Sequence, residues 1–519
     1  MPIIRAFRFG TVYRARVEPL RPWNFGVGTW IERRARSAPV RPALITTDGE
    51  RSYAELADRI DRLAGAFRGM GVGHGDRIAW LGENHPAFLE TLFAAGRIGA
   101  VLAPVNHYLP GDERAAIVAD TDPAVVLEHV ALPETTLAAS VLQRIAVGGT
   151  RAGALDYELL IAETAAGNAD AAVDLEDLLF LPHTTGTTGL PKGVMLTHAN
   201  VTWNVLNFLT SAEFRSDDVT IAFAPFFRVG GTGVNVLPVL FMGGTVVVPD
   251  DVEPDRTLAL IERHRVTVGF AGPALLEGLL ATERWASADL SSLRFVLTGG
   301  APVPDRLVRA YAQRGVPLVQ GYGLSEAGPL ALLLDPASAL RKIGSAGRPP
   351  AFVDVRIVGA DGRDVRPGAT GELHVRGPNV MAGYWRRPDA TREVLLDGGW
   401  LRTGDAARMD EDGYVWIVDR FADRFETAGG VVFPGDVERV LLANPAVMDA
   451  GVVGIPSDGG HVGAAFVVLP PGASATTEEI LDGARRELPA HAVPATIRQV
   501  GELPRNSVGK LARHVLREL

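Results

Sequence analysis

Of the 51 lysines and arginines in this 519-residue chain, only Lys192, Lys342 and Lys510 are lysine. Where a cation need only be solvated or face a surface carboxylate, arginine serves equally well, so a retained lysine points to a use for a compact ammonium. Lys192 closes the run TTGTTGLPKG (184–193), and Lys510 closes PRNSVGK (504–510). The first run has the make-up of an anion cradle: glycines admit close backbone approach, successive N–H groups and threonine hydroxyls donate, and the lysine adds a mobile cation. That is phosphate-binding chemistry. It is not a Walker loop, which sets Gly-Lys-Ser/Thr at the opening of a helix. Here Pro191 precedes the lysine and the apolar run Val194-Met195-Leu196 follows it, so the loop is expected to join two strands. A plain surface turn would explain neither four threonines nor the chain's rarest cation.

Such a loop needs a rigid frame. Short apolar runs ending in glycine, such as RIAWLGEN (77–84), TVVVP (245–249), RFVLTGG (294–300) and PLVQGYG (317–323), read as buried strands. Between them lie stretches with helical spacing, for example PAFLETLFAAGRIGA (86–100). The alternation predicts an α/β fold with doubly wound parallel sheets, whose sites form at the carboxyl ends of strands. From about residue 351 shorter strands and turns predict a small β-rich unit. The expected division is an N-terminal domain over 1–418, with the β-rich part at about 351–418, a hinge at 419–423, and a small α+β C-terminal domain over 424–519.

Composition narrows the function classes. The chain is 47% hydrophobic and 22% charged, as in ordinary globular proteins. Its net charge of −10 and lack of long basic runs argue against nucleic acid or an acidic membrane as partner. The arginine-rich first 36 residues read as solvated surface. The absence of cysteine excludes disulfides, thiolate metal sites and a cysteine nucleophile. The most apolar stretch (234–249) is broken by Pro238, Gly243 and Gly244, so a cytoplasmic enzyme is expected.

TTGTTGLPKG resembles the phosphate loop of the adenylate-forming superfamily, which comprises acyl-CoA synthetases, firefly-type luciferases and peptide-synthetase adenylation domains. The likeness continues in the family's order through TGGAPVP (298–304), QGYGLSEAGP (320–329), GELHVRGPNVMAGYW (371–385), GWLRTGD (399–405), VDRFADRFETAGGVVFPGDVE (418–438) and LPRNSVGK (503–510). Within the family it is most similar to bacterial fatty-acyl-CoA synthetases, as in QGYGLSEAG and LRKIGSAGRP (340–349).

The resemblance implies roles for matching positions. Thr184, Thr185, Gly186, Thr187, Thr188, Gly189 and Lys192 would hold the ATP phosphates. Tyr322 would stack on adenine, with Gly300, Ala301 and Pro302 lining the same slot and Gln320, Gly321, Gly323 and Ser325 beside it. Asp405 would accept from the ribose hydroxyls, with Arg420 as a second ribose contact. Glu326 and Thr184 would form a magnesium site, since this hard cation takes one carboxylate plus phosphate oxygens. Lys510 resembles the catalytic lysine that reaches from the C-terminal domain to the α-phosphate, with Glu326 the other catalytic residue. Phe226, Phe227, Arg228, Gly231 and Gly323 would border the substrate pocket, and Ala422 would be the hinge residue.

The implied activity is that of an acyl-CoA synthetase: ATP-dependent adenylation of a carboxylic acid with release of pyrophosphate, then thioester formation with CoA. Its requirements are ATP, Mg2+ and CoA, with a homodimer as a possible assembly. Departures from the family pattern fall at Ala422, Glu426 and Ala492, in the half associated with the second step, and at Arg228, where fatty-acid enzymes have histidine. They motivate an alternative, a CoA-independent adenylating ligase that passes the adenylate to an amine or carrier, or activates a small oxyanion such as nitrite, as diazotases do. Arg228 itself reads either as a clamp for an anion or as an arginine bridged to a loop carboxylate.

Overall fold

In the computed structural model, which describes residues 24–135, 141, 143–167, 170–184, 191–359, 361–458, 460–470, 475–505 and 511–519, the glycine-bounded apolar runs form parallel strands. Arg77–Leu81 lies between Val101–Val105 and Val125–His129, with Gln143–Val147 beyond, all parallel. Val101–Val105 is buried at every position, as a sheet covered on both faces requires. Helix Pro86–Ile98 is also buried throughout. It starts with Pro86, where a missing N–H costs nothing, and with the His85 ring accepting the Ala87 N–H at 3.2 Å. It stops at Gly99, whose φ of 73° favours glycine and where a side chain would strike the His74 ring at 2.5 Å.

A second sheet places Val268–Ala271, Phe295–Thr298 and Leu318–Gly323 in parallel, with Leu330–Leu333 antiparallel at its edge. A third joins Val219–Ile221, Thr245–Val247 and Pro42–Thr46 in parallel. The β-rich segment is an antiparallel sheet of Asp354–Val358, Thr370–Arg376, Trp400–Met409 and Val415–Arg420. One piece of it goes elsewhere: Gly383–Tyr384 pairs with Lys192–Thr197 in the first sheet. Gly383 permits the crossing, because a Cβ there would meet the Thr391 side chain at 2.9 Å.

Beyond Arg420 the chain builds a separate core from Phe425, Val437, Leu441, Val452, Val467 and Ile480. Its sheet pairs Asp449–Ser457 antiparallel to Gly460–Val468, with Thr496–Gln499 parallel at the edge. The turn Phe421–Asp423 connects it to the rest, with Ala422 exposed.

One sequence expectation changes. Within the basic N-terminal stretch, Arg33 and Arg34 are structural: Arg33 donates to the Thr29 hydroxyl and the Asn24 carbonyl, and Arg34 donates to the Phe241 carbonyl at 2.6 Å. Arg5 to Arg21 lie outside the described residues. Lys342 is a cross-link, its ammonium lying 2.7 Å from Asp410 and 2.8 Å from Asp412, over the Tyr414 ring. Among the described residues no helix is long and apolar enough to cross a membrane.

Candidate active site

Strand His183–Thr184 runs antiparallel to Lys192–Thr197, with Lys192 opposite Thr184. The glycine-rich run is thus flanked by two paired strands. Thr185, Gly186, Thr187, Thr188 and Gly189 lie outside the described residues, as does Lys510. His183, in the first of these strands, is half-buried, and desolvation of its ring lowers its pKa to about 4, so it is neutral at physiological pH.

Beside this hairpin, the ends of Phe295–Thr298 and Leu318–Gly323 come so close that a Cβ on Gly299 would meet the Gly321 carbonyl oxygen at 2.5 Å. Thr298 lies opposite Gln320 in register, which sets Gly300, Ala301 and Pro302 next to Gly321, Tyr322 and Gly323 at the carboxyl ends of parallel strands. Gly300 has φ 79°, a backbone state that favours glycine. Gly323 is packed against the Pro329 carbonyl oxygen, leaving no room for a side chain.

Tyr322 donates its phenol to Asp405 Oδ2 at 2.6 Å, and Arg420 donates to Asp405 Oδ1 at 2.8 Å. Burial first, and then the Asp405 charge, hold the Tyr322 phenol well above its ordinary pKa, so it stays a donor. Burial, the largest single influence, would lower the Arg420 pKa, but Asp405 together with Tyr322 and Glu326 makes the net shift upward. Asp405 and Arg420 are register partners on neighbouring antiparallel strands, which fixes the pair through the backbone. Thr403, unremarked in the sequence, supplies the hydroxyl that accepts the Asp405 N–H at 3.1 Å while donating to the Leu373 carbonyl at 2.7 Å.

Glu326, in the turn Ser325–Ala327, accepts the Tyr384 phenol at 2.7 Å, and its charge reaches Arg420. Thr184, Lys192, Tyr322, Glu326, Asp405 and Arg420 therefore belong to one connected surface. Among the described residues no group of three or more acidic or histidine side chains could hold a metal unaided. A single carboxylate and a threonine hydroxyl suit Mg2+, which keeps most of its shell for water and phosphate oxygens and supplies charge neutralisation there. They are hard oxygen donors of the right kind.

On the other flank, Asn84 holds the loop after Val219–Ile221 by donating to the Ala222 and Ala224 carbonyls and accepting the Phe226 N–H at 2.7 Å. Phe226 is buried against Phe88, ring centroids 5.1 Å apart. Phe227 packs with His107 at 5.3 Å and Tyr108 at 6.0 Å. Arg228 stands over the Phe227 ring at 5.7 Å and has no carboxylate partner among the described residues. Its side chain is exposed, yet surrounding atoms desolvate the guanidinium enough to lower its pKa, and it remains cationic at neutral pH. Gly231 is required by the turn, where a Cβ would collide with the Pro225 carbonyl oxygen. His107 and Tyr108, in the middle of the segment PVNHYLP (104–110), carried no sequence signal tying them to Phe227.

Where the chain turns toward its C-terminal part, Arg513 gathers Glu438 at 2.8 Å and Asp419 and Asp423 at 3.4 Å. Asp419 and Asp423 lie on either side of Ala422 in the chain. Glu426 is exposed, and Ala492 sits in the short turn Ala490–Ala492.

The AMP-binding enzyme family matches residues 31–385, and the AMP-binding enzyme C-terminal domain matches 436–510. The chain is 42% identical to a feruloyl-CoA synthase from Amycolatopsis sp., covering 95% of this chain and 99% of the relative. It is 38% identical to an indoleacetate–CoA ligase from Aromatoleum aromaticum, covering 94% and 97%. Among solved structures, O-succinylbenzoate coenzyme A synthetase from Bacillus subtilis, in complex with ATP and magnesium ion, superposes with a TM-score of 0.83 at 30% identity, over 94% of this chain and 99% of that one.

Proposed function

Because this chain belongs to the AMP-binding enzyme family and is an ATP-dependent, AMP-forming acid–CoA ligase, we propose that its preferred acid is aromatic and carries a polar or anionic group away from the reacting carboxylate. The observation behind this is the rim of His107, Tyr108 and Phe227 rings beside an unpaired Arg228 cation. A cluster of tilted and edge-to-face rings suits a flat aryl group, whereas a guanidinium beside a long alkyl tail would lose hydration without gaining a partner. Relatives named for ferulate and indoleacetate support the same substrate class.

In the first half-reaction the acid's carboxylate oxygen attacks the α-phosphorus of ATP, the bond to the β-phosphate oxygen breaks, and acyl-adenylate and pyrophosphate form. Two anions meet, so the barrier is largely electrostatic. We assign Lys192 and the threonine loop to the departing phosphates, Lys510 to the α-phosphate and carboxylate oxygens, and Asp405 with Arg420 to the ribose. Asp405 is already engaged by Tyr322 and Arg420, so the ribose would meet an oriented acceptor. In the second half-reaction the CoA thiol attacks the acyl carbon and AMP leaves. The turn 421–423 is the hinge we assign to that change, and the cytoplasm, where ATP and CoA are supplied, is the proposed location.

The test is a screen of hydroxycinnamates, aryl acetates, saturated fatty acids, dicarboxylic acids and nitrite, each with ATP and Mg2+, with and without CoA. Hydroxylated aryl acids should give the highest kcat/KM for AMP and thioester formation. A fatty acid preferred tenfold or more over every aryl acid would sink the proposal, and AMP release indifferent to CoA would point to a different acceptor.

A further inference from the structure

Tyr384 lies where the two charges expected to receive MgATP would otherwise meet. Its hydroxyl donates to Glu326 Oε1 at 2.7 Å, and the Lys192 ammonium sits 5.1 Å from the centroid of its ring. The ring is buried, with relative exposure of 8%, and the backbone around it is pinned on both sides. Val194 is its register partner, the Trp385 N–H donates to the Gly193 carbonyl at 2.8 Å, and the Met381 N–H donates to the Glu326 carbonyl at 2.9 Å. Its own N–H donates to the Thr391 hydroxyl at 2.9 Å. The crossing segment thus staples the strand carrying Lys192 to the turn carrying Glu326.

A carboxylate and an ammonium that both contact one ring would gain from pairing directly if they met, and a direct pair would have to be broken before a metal–phosphate complex could enter. No such pair forms between Lys192 and Glu326 among the described residues. The carboxylate is instead satisfied by a neutral hydroxyl, and the ammonium by a ring face. Neither contact neutralises the charge.

We propose that Tyr384 is a positioning residue for adenylation, holding the Glu326 carboxylate and the Lys192 ammonium apart and aimed at the site of MgATP. The inference rests on the reading of Glu326 as the metal carboxylate, and its test separates the two. The quantity to measure is the ratio of ATP affinities with and without Mg2+, by equilibrium titration of the full-length protein, in wild type, Tyr384→Phe, Glu326→Gln and the double variant. Tyr384→Phe keeps the ring and removes the hydroxyl. It should lower the Mg2+ enhancement about tenfold, the typical worth of a hydrogen bond to a charged group, with metal-free ATP affinity unchanged. Glu326→Gln should lower it at least as far, and the double variant no further.

If Glu326→Gln loses the enhancement while Tyr384→Phe keeps it, Tyr384 has no positioning role and the metal carboxylate stands. If Glu326→Gln keeps the enhancement, the metal assignment falls and the proposal with it. Loss of metal-free ATP binding in Tyr384→Phe would make the tyrosine a packing element and overturn the proposal as well.

Discussion

The nucleotide side and the acid side of this site are built on opposite plans. On the nucleotide side, each charged group that the described residues show is already oriented by another: Tyr322 and Arg420 on Asp405, Tyr384 on Glu326, the Tyr384 ring under Lys192. On the acid side the scaffold is fixed by Asn84, but what stands on it is a cluster of three rings, exposed only at Tyr108 and part of His107, and one exposed arginine without a carboxylate partner among the described residues. The difference teaches where specificity can vary. Removing one member of a satisfied network leaves its partners buried and unpaired, whereas exchanging an exposed side chain at a rim leaves no such debt.

The strongest way to probe the nucleotide side is Lys510→Ala. ATP–pyrophosphate exchange should slow about a hundred- to a thousandfold, the usual cost of one preorganised electrostatic group, with ATP binding little changed. Undiminished exchange would remove this lysine from the chemistry. Asp405→Asn comes next: with Arg420 and Tyr322 deprived of their shared carboxylate, the KM for ATP should rise about ten- to a hundredfold, while the KM for the acid stays put. A change confined to the acid would mean that Asp405 had been placed on the wrong side.

A smaller effect is expected from Arg228→Leu. For acids with a polar group at the far end of the ring, kcat/KM should fall about tenfold, and for unsubstituted aryl acids much less. Equal losses for both, or a raised KM for ATP, would erase the contrast between the two sides. The smallest effect concerns stability. Burial lowers the His183 pKa from 6.5 to about 4, so the unfolded chain binds a proton that the folded chain refuses between those values. This histidine's contribution is full above pH 6.5 and is lost as pH falls toward 4. Replacing it with asparagine should flatten the fall in thermal stability over that window by up to about 1.4 kcal/mol per pH unit. An unchanged slope in His183→Asn would show that the base of the phosphate hairpin is not where the protein resists protonation.

Much of the nucleotide side was legible before folding was considered. The glycine–threonine run with its terminal lysine states its chemistry in sequence order, and the proline before Lys192 together with the apolar run after it correctly implied a strand-to-strand turn. The strands ending in Gly299 and Gly323 were equally plain, because a buried parallel strand shows as an unbroken apolar run and its site-forming turn as glycine. The acid side was half legible. Arg228 stood out as a departure, but whether a carboxylate would meet it depended on loops far away in the chain, and the structure shows none among the described residues.

The ribose and hard-cation roles of Asp405, Arg420 and Glu326 are what the family resemblance implies; what the sequence by itself determined is the run able to cradle phosphate and the alternation of strand and helix that must carry it. These follow from short-range rules, backbone preference and hydrophobic period, that act over a few residues. Only the tertiary structure decided the partnerships. Tyr384 meets Glu326 and Lys192 because a two-residue strand leaves its own sheet for another, and His107 and Tyr108 face Phe227 because the connection after Val101–Val105 in one sheet meets the loop after Val219–Ile221 in another. Contacts between residues 58 and 120 positions apart carry no periodic signature, since they are set by how whole sheets pack.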